Sequence, residues 1–176
     1  MKFFRLLIFL ILISSNITLA NSFKNTNSFQ AIFKQSIVNN SGNEVVYKGT
    51  IKIKRPNSML WLYKDPIEKY VYILKQNVTI IEPELEQAIV TKLENELNII
   101  QLLNEAKKIK NNLYKSELFN KEYFLTIKEN KLTKIEYKDE LENNVTISFT
   151  NILINKIIND KQFKFIIPSG FDIIKK

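Results

Sequence analysis

Two periods of apolar residues alternate along this chain and divide it into helix-like and strand-like stretches. Phe29, Ile32, Phe33 and Ile37 recur at i, i+3, i+4 and i+8, the spacing of one helical face. Asn25-Thr26-Asn27-Ser28 offers caps before them, and Asn39-Asn40-Ser41-Gly42-Asn43 ends the run as a turn. The spacing predicts a first helix. From Glu44 the period falls to two. Tyr47, Gly49, Ile51 and Ile53 share one face, and Lys48, Thr50, Lys52 and Lys54 the other, as in a strand with one wet side. Pro56-Asn57 breaks it. Ser58–Tyr63 follows as a second strand with Met59, Trp61 and Tyr63 on one face. Asp65-Pro66 is a turn. Tyr70–Leu74 and Val78–Ile81 around Gln76-Asn77 read as a hairpin, and Gln87–Thr91 continues the sheet.

Residues 92–110 return to the helical period. Ile99, Leu102, Leu103, Ala106 and Ile109 form one stripe, widened by Leu97 and Ile100, and Glu96, Glu105, Lys107 and Lys108 cover the other side. The remainder alternates again. Tyr123, Leu125 and Ile127, then Ile135 and Tyr137 after a Glu129-Asn130 turn, then Val145, Ile147 and Phe149, read as strands. Phe163, Phe165 and Ile167 form the last clear strand before Pro168-Ser169-Gly170. The order is helix, strands, helix, strands, with nine or ten strands. It predicts a mainly β, α+β fold: an antiparallel sheet with helices on one side or in one mouth.

Ahead of all this lies a different segment. Lys2 and Arg5, the apolar run Leu6 to Ile13 and Thr18-Leu19-Ala20 read as a secretory signal, cleaved after residue 20. Residues 21–176 are then one mature domain, and no cysteine at the cleavage point marks it as itself lipid-anchored. Without Lys2 and Arg5, the 26 basic residues become 24 against 18 acidic ones, a net +6. The Lys residues are dispersed among Glu rather than gathered in a patch, which reads as a solvated surface and not as a nucleic-acid site.

The chain has no Cys and no His. That excludes disulfides, thiolate metal sites, a cysteine nucleophile and any serine–histidine triad. Gly is confined to Gly42, Gly49 and Gly170, so there is no phosphate loop. Glu82, Glu84 and Glu86 alternate around Pro83 and read as an exposed edge rather than a metal site. The expectation is a chain that is not an enzyme and needs no metal or cofactor. The positive signal is aromatic: 9 Phe, 7 Tyr and Trp61 follow the signal segment. A filled core and an enclosed cavity both remain open. Arg55 is the other signal, the one arginine beyond Arg5. Strand parity sets it on the apolar face with Ile51 and Ile53, but Pro56 follows at once, so burial with partners and escape into water both remain open.

These segments resemble the LolA family of periplasmic lipoprotein carriers. Phe29-Gln30-Ala31-Ile32-Phe33-Lys34-Gln35 is similar to its first-helix F-x-A-x-F-x-Q signature. Gly49, Ile51, Ile53, Arg55, Pro56, Asn57 and Trp61 match its G-x-[ILV]-x-[ILV]-x-R-P-N-x-x-x-W segment, the most specific part. Glu82-Pro83-Glu84-Leu85-Glu86-Gln87 resembles Y-D-P-x-L-x-Q, and Asp139, Val145–Phe149, Phe163–Phe165 and Pro168–Asp172 match in order. Departures are Gln76-Asn77 in place of a D-G turn, an apolar residue near Ile80 in place of Trp, and Ile81-Glu82 for Tyr-Asp.

The resemblance implies an unclosed antiparallel β-barrel of roughly nine to eleven strands, with helices as a lid over a hydrophobic cavity. It implies a cavity lined by Ile51, Ile53, Met59, Trp61, Tyr63, Leu102, Val145, Ile147 and Phe149, and a lid latch at Arg55 that donates to helix backbone carbonyls. It implies a monomer in the periplasm that takes acylated lipoproteins from the inner-membrane ABC exporter LolCDE to an outer-membrane acceptor such as LolB. The alternative is a lipid- or lipoprotein-sensing or structural envelope module of the same fold.

Overall fold

The computed structural model describes residues 26–92 and 99–175. The proposed signal at 1–20, Asn25, Glu96 and Leu97 lie outside them. The strands are β1 (Ser28–Val38), β2 (Glu44–Lys54), β3 (Ser58–Asp65), β4 (Lys69–Leu74), β5 (Asn77–Glu82), β6 (Gln87–Lys92), β7 (Lys107–Lys110), β8 (Leu113–Leu118), β9 (Lys121–Lys128), β10 (Lys131–Lys138), β11 (Asn144–Ile154) and β12 (Asp172–Lys175), with one α-helix, α1 (Ile99–Glu105), among the described residues. All twelve strands form one sheet in the order β12-β6-β5-β4-β3-β2-β1-β11-β10-β9-β8-β7. Its ends, β12 and β7, do not pair, so the sheet curls without closing. Every pairing is antiparallel except β12 on β6. No described helix is long and apolar enough to cross a membrane.

The predicted first helix is instead β1, the centre of the sheet. Phe29, Ile32, Phe33 and Ile37 fit a helical face, but Phe29, Ala31, Phe33, Gln35 and Ile37 fit period two equally well. Long-range pairing decides. β1 matches β2 in an unbroken ladder from Ser28↔Lys54 to Val38↔Glu44 and pairs with β11 on its other side. Phe29, Ala31 and Phe33 are buried, while Ile32, the helical-stripe residue, is 43% exposed.

The predicted 92–110 helix is also shorter. After Ala106, Lys107–Lys110 pairs with β8 around Asn111-Asn112, and Asn112 takes a left-handed φ of 60°. A lysine-rich run, exposed throughout and with Ile109 half exposed, suits an edge strand better than a helix end. The predicted strand at 163–167 is absent. Asp160–Phe163 is a single 3-10 turn, its Asn159 side chain accepting from the Lys161 N–H at 2.9 Å. This segment straps across the outer face, where Phe163 and Ile158 bury against Leu60 and the Phe165 ring lies 5.3 Å from Tyr72. The strap ends in β12, and the last strand is therefore Asp172–Lys175. Among the described residues, twelve strands and one α-helix stand where nine to eleven strands and two helices were expected.

Asparagine-type turns set the hairpin registers. Asn39 Oδ1 accepts from Ser41 N–H and Asn43 N–H at 3.0 and 2.9 Å, and Asp139 Oδ1 accepts from Leu141 N–H and Asn143 N–H at 2.9 Å each. Asp139 Oδ2 also accepts from Asn143 Nδ2 at 2.9 Å. Burial pushes the Asp139 carboxyl up, but the bonds from Asn143 and Leu141, helped by Lys121, outweigh it and hold the group below its ordinary value. A depressed carboxylate stabilises the fold above its unfolded pKa, near 3.9, and that contribution is lost as pH falls through the lower folded value. Asp139→Ala is expected to cost about 1–2 kcal/mol at neutral pH, since a side-chain bond to a turn contributes roughly 0.5–1.5 kcal/mol net. Urea unfolding at pH 7 and at acid pH checks it: the gap between the two proteins narrows in acid.

Candidate functional site

Strand alternation brings one set of side chains to the concave face. Register then aligns them: Ile51↔Trp61↔Val71, Ile53↔Met59↔Ile73 and Gly49↔Tyr63 run across β2, β3 and β4. On the other side of β1, Phe33, Gln35 and Ile37 stand opposite Phe149, Ile147 and Val145. Helix α1 lays Ile99, Leu102 and Leu103 onto this face, all three buried. Ile51, Ile53, Met59, Trp61, Leu102, Val145, Ile147 and Phe149 thus fall in one buried cluster, and half-buried Tyr63 packs against it.

Aromatic rings form much of the surface. Phe33 meets Trp61 and Tyr63 edge-on at 5.0 Å each, and Phe29 meets Phe149 at 5.5 Å. The Trp61 indole N–H donates to Met59 Sδ at 3.1 Å. The Phe33 ring lies over Gly49, where β2 bulges against β3. A Cβ at Gly49 would stand 2.0 Å from the Leu62 carbonyl oxygen and 2.8 Å from the Phe33 ring.

The face is not wholly filled. A cleft of about 210 Å³ remains between β3–β5 and the β10–β11 side. Trp61, Tyr63, Val71, Ile73, Ile80 and Ile147 form its walls, and Gln35, Lys69 and Tyr137 its rim. None of the described residues of α1 lines it. Period two in Lys69–Ile73 already set Lys69, Val71 and Ile73 on one face, but nothing local told which face was inward. A much smaller hollow of about 20 Å³ lies at the opposite strand ends, between Ile53, Arg55 and the helix residues Ile99, Ile100 and Leu103.

Arg55 stands just past β2 at that second end. Its backbone N–H donates to Asn27 O at 2.9 Å, Nε donates to Thr26 O at 2.6 Å, and Nη2 reaches Asn104 Oδ1 of α1 at 3.5 Å. The side chain is half-buried between the chain's entry into β1, the end of β2 and the helix. Sequence parity left its burial open; the three-way junction is a tertiary feature.

The titrating groups with displaced values are mostly phenols. The Tyr70 hydroxyl donates to Glu68, and that bond, with burial, pushes it up to about 12. Burial raises Tyr72 and Tyr123. All three stay neutral at physiological pH. The concave face they accompany is apolar and ring-lined.

The chain is similar to known proteins. A family model described as "Outer membrane lipoprotein carrier protein LolA" matches residues 24–124. A protein named outer-membrane lipoprotein carrier protein in Wolinella succinogenes is 34% identical, over 88% of this chain and 91% of its own length. Others with that name are 38% identical in Helicobacter pylori, over 78% of this chain and 74% of theirs, and 33% in Campylobacter jejuni, over 86% and 88%. Among solved structures, an uncharacterized conserved protein from Thermus thermophilus superposes with a TM-score of 0.55 at 7% identity, over 90% of this chain and 97% of that one. At that identity the likeness speaks to the fold alone.

Proposed function

This chain belongs to the LolA family of outer-membrane lipoprotein carrier proteins, and on that premise we propose that it holds the acyl chains of lipoproteins against its concave face and carries them across the periplasm to the outer membrane. We propose further that residues 1–20 are a cleaved export signal, that residues 21–176 act as a monomer, that LolCDE loads it and that an acceptor such as LolB unloads it. The observation that supports this most is the aromatic-lined concave face with α1 laid over it.

The physics of the task fits that surface. An acyl chain in water costs about 0.8 kcal/mol per exposed methylene, so a carrier has to bury it. The cleft, about 210 Å³, exceeds the roughly 150 Å³ that suffices for a benzene-sized guest. It does not hold several acyl chains. Loading therefore requires α1 to lift and Ile51, Ile53, Met59, Leu102, Val145, Ile147 and Phe149 to exchange contacts with one another for contacts with lipid, beside Trp61 and Tyr63. In this reading the packed face with α1 laid over it is the closed arrangement. Arg55, tied to Thr26 and Asn104, would be the latch of that state. No covalent chemistry enters the cycle.

The purified mature chain is expected to withdraw a triacylated lipoprotein from vesicles containing a matched exporter and ATP, as a soluble one-to-one complex. Trp61 emission should shift as lipid replaces Phe33 and Met59 around the indole. Lipoprotein left wholly in the vesicles would overturn the carrier reading in favour of a sensing or structural module.

A further inference from the structure

The rim of the 210 Å³ cleft carries a cation. Lys69 is half-buried at the inward-facing start of β4, and its Nζ lies over the Tyr63 ring at 4.7 Å and the Tyr47 ring at 5.9 Å. No carboxylate of the described residues pairs with it. The nearest acidic residues along the chain are engaged elsewhere: Asp65 pairs with Lys48 at 3.3 Å, and Glu68 accepts the Tyr70 hydroxyl. Beside Lys69 stand two hydrogen-bonding groups that also line the cleft. The Tyr63 hydroxyl meets Gln35 Oε1 at 3.3 Å, which leaves the Gln35 amide N–H groups to donate.

An ammonium at the edge of an apolar pocket has lost part of its water without gaining a counter-ion. The ring faces offset part of that loss. What completes the arrangement is a ligand with an anionic oxygen head at Lys69 and Gln35 and an apolar tail running past Trp61, Val71, Ile73, Ile80 and Ile147. The volume admits one narrow tail. A triacylated lipoprotein terminus is uncharged and makes no use of the cation.

We propose that this end of the concave face also takes the carboxylate and tail of a single free fatty acid, with Lys69 as its counter-ion. The site lies at the opposite strand ends from Arg55, and no described residue of α1 lines it. It shares Trp61, Tyr63 and Ile147 with the acyl-binding face of the carrier reading and adds to that reading an anionic head group held at Lys69.

The test is calorimetric titration of the full mature chain with dodecanoate, dodecanol and dodecyl phosphate at pH 8, where the carboxylate is ionised. Trp61 emission is read in parallel. Dodecanoate should bind at least tenfold tighter than dodecanol. Lys69→Met should erase that preference while leaving dodecanol binding unchanged, and Lys69→Arg should keep it. Equal affinities for dodecanoate and dodecanol in the wild-type chain, or a preference unmoved by Lys69→Met, would overturn the proposal. So would a tighter, Lys69-dependent grip on dodecyl phosphate, which would give the site to a phosphate lipid. Lipoprotein uptake separates the two readings. A wild-type chain that takes lipoprotein but ignores dodecanoate overturns the fatty-acid site alone. One that binds dodecanoate but never takes lipoprotein overturns the carrier function alone.

Discussion

Arg55→Leu is expected to yield a folded protein that still accepts lipoprotein but surrenders it poorly to the acceptor. The guanidinium joins Thr26 O, ahead of β1, to Asn104 on α1, at 2.6 and 3.5 Å. Its planar fork can serve both at once, which a lysine ammonium cannot do with the same geometry. Leucine removes the donors and adds apolar surface beside Ile53 and Leu103, which line the same hollow. Both changes favour the open, lipid-filled state. A hydrogen bond from a charged donor contributes roughly 1.5–3 kcal/mol, so losing one moves the closed–open balance by about 10- to 100-fold. Transfer to an acceptor should slow by about that factor, with uptake little changed, and Arg55→Lys should fall between. Equal release by all three proteins would show Arg55 to be a structural tie and no more. The resemblance implies donation to helix backbone carbonyls; the described contacts of the guanidinium include Thr26 O and Asn104 Oδ1, which join the entry to β1, the end of β2 and α1.

The second large effect is on stability. Gly49→Ala places a methyl group 2.0 Å from the Leu62 carbonyl oxygen and 2.8 Å from Phe33. The first contact is with backbone and cannot be relieved by a rotamer change. Either the bulge at Lys48–Gly49 straightens or β3 shifts, and Phe33, 1% exposed, is displaced from its contacts with Trp61 and Tyr63. Overpacking of this kind costs about 1–3 kcal/mol or more. For a domain of this size that lowers Tm by several degrees, at roughly 2–4 °C per kcal/mol. Thermal unfolding followed by circular dichroism reads it directly. Gly42→Ala serves as the comparison: nothing lies within 4 Å of its added Cβ, although its φ of +83° still carries a strain. An unchanged Tm for Gly49→Ala would mean that the bulge is pliable and that Phe33 does not require the bare backbone.

Much of this molecule follows from its sequence alone. The period-two runs at 47–54, 58–63, 123–127 and 145–149 settled which residues face the core, because a pleated strand with one wet face has no other way to satisfy them. The R-P-N-x-x-x-W segment carried the family, and the family carried the unclosed barrel. Where the local signal was ambiguous, the tertiary structure decided. Residues 28–38 satisfy both periods, and two flanking ladders with β2 and β11 offer far more backbone hydrogen bonds than an isolated amphipathic turn, so the segment became the central strand. Lys107–Lys110 continued a helical stripe on paper but found an edge at β8, and Phe163–Ile167 alternated without a partner strand and became a strap. Periodicity reports which neighbours a side chain wants; whether a backbone ladder is within reach depends on segments far away along the chain, as Phe29 opposite Ile154 shows. For the same reason no local pattern could reveal the open cleft, the Lys69 cation at its rim or the Arg55 junction. Each is made by elements that meet only when the sheet curls, and volume, counter-ion and hydrogen-bond partner are properties of that meeting.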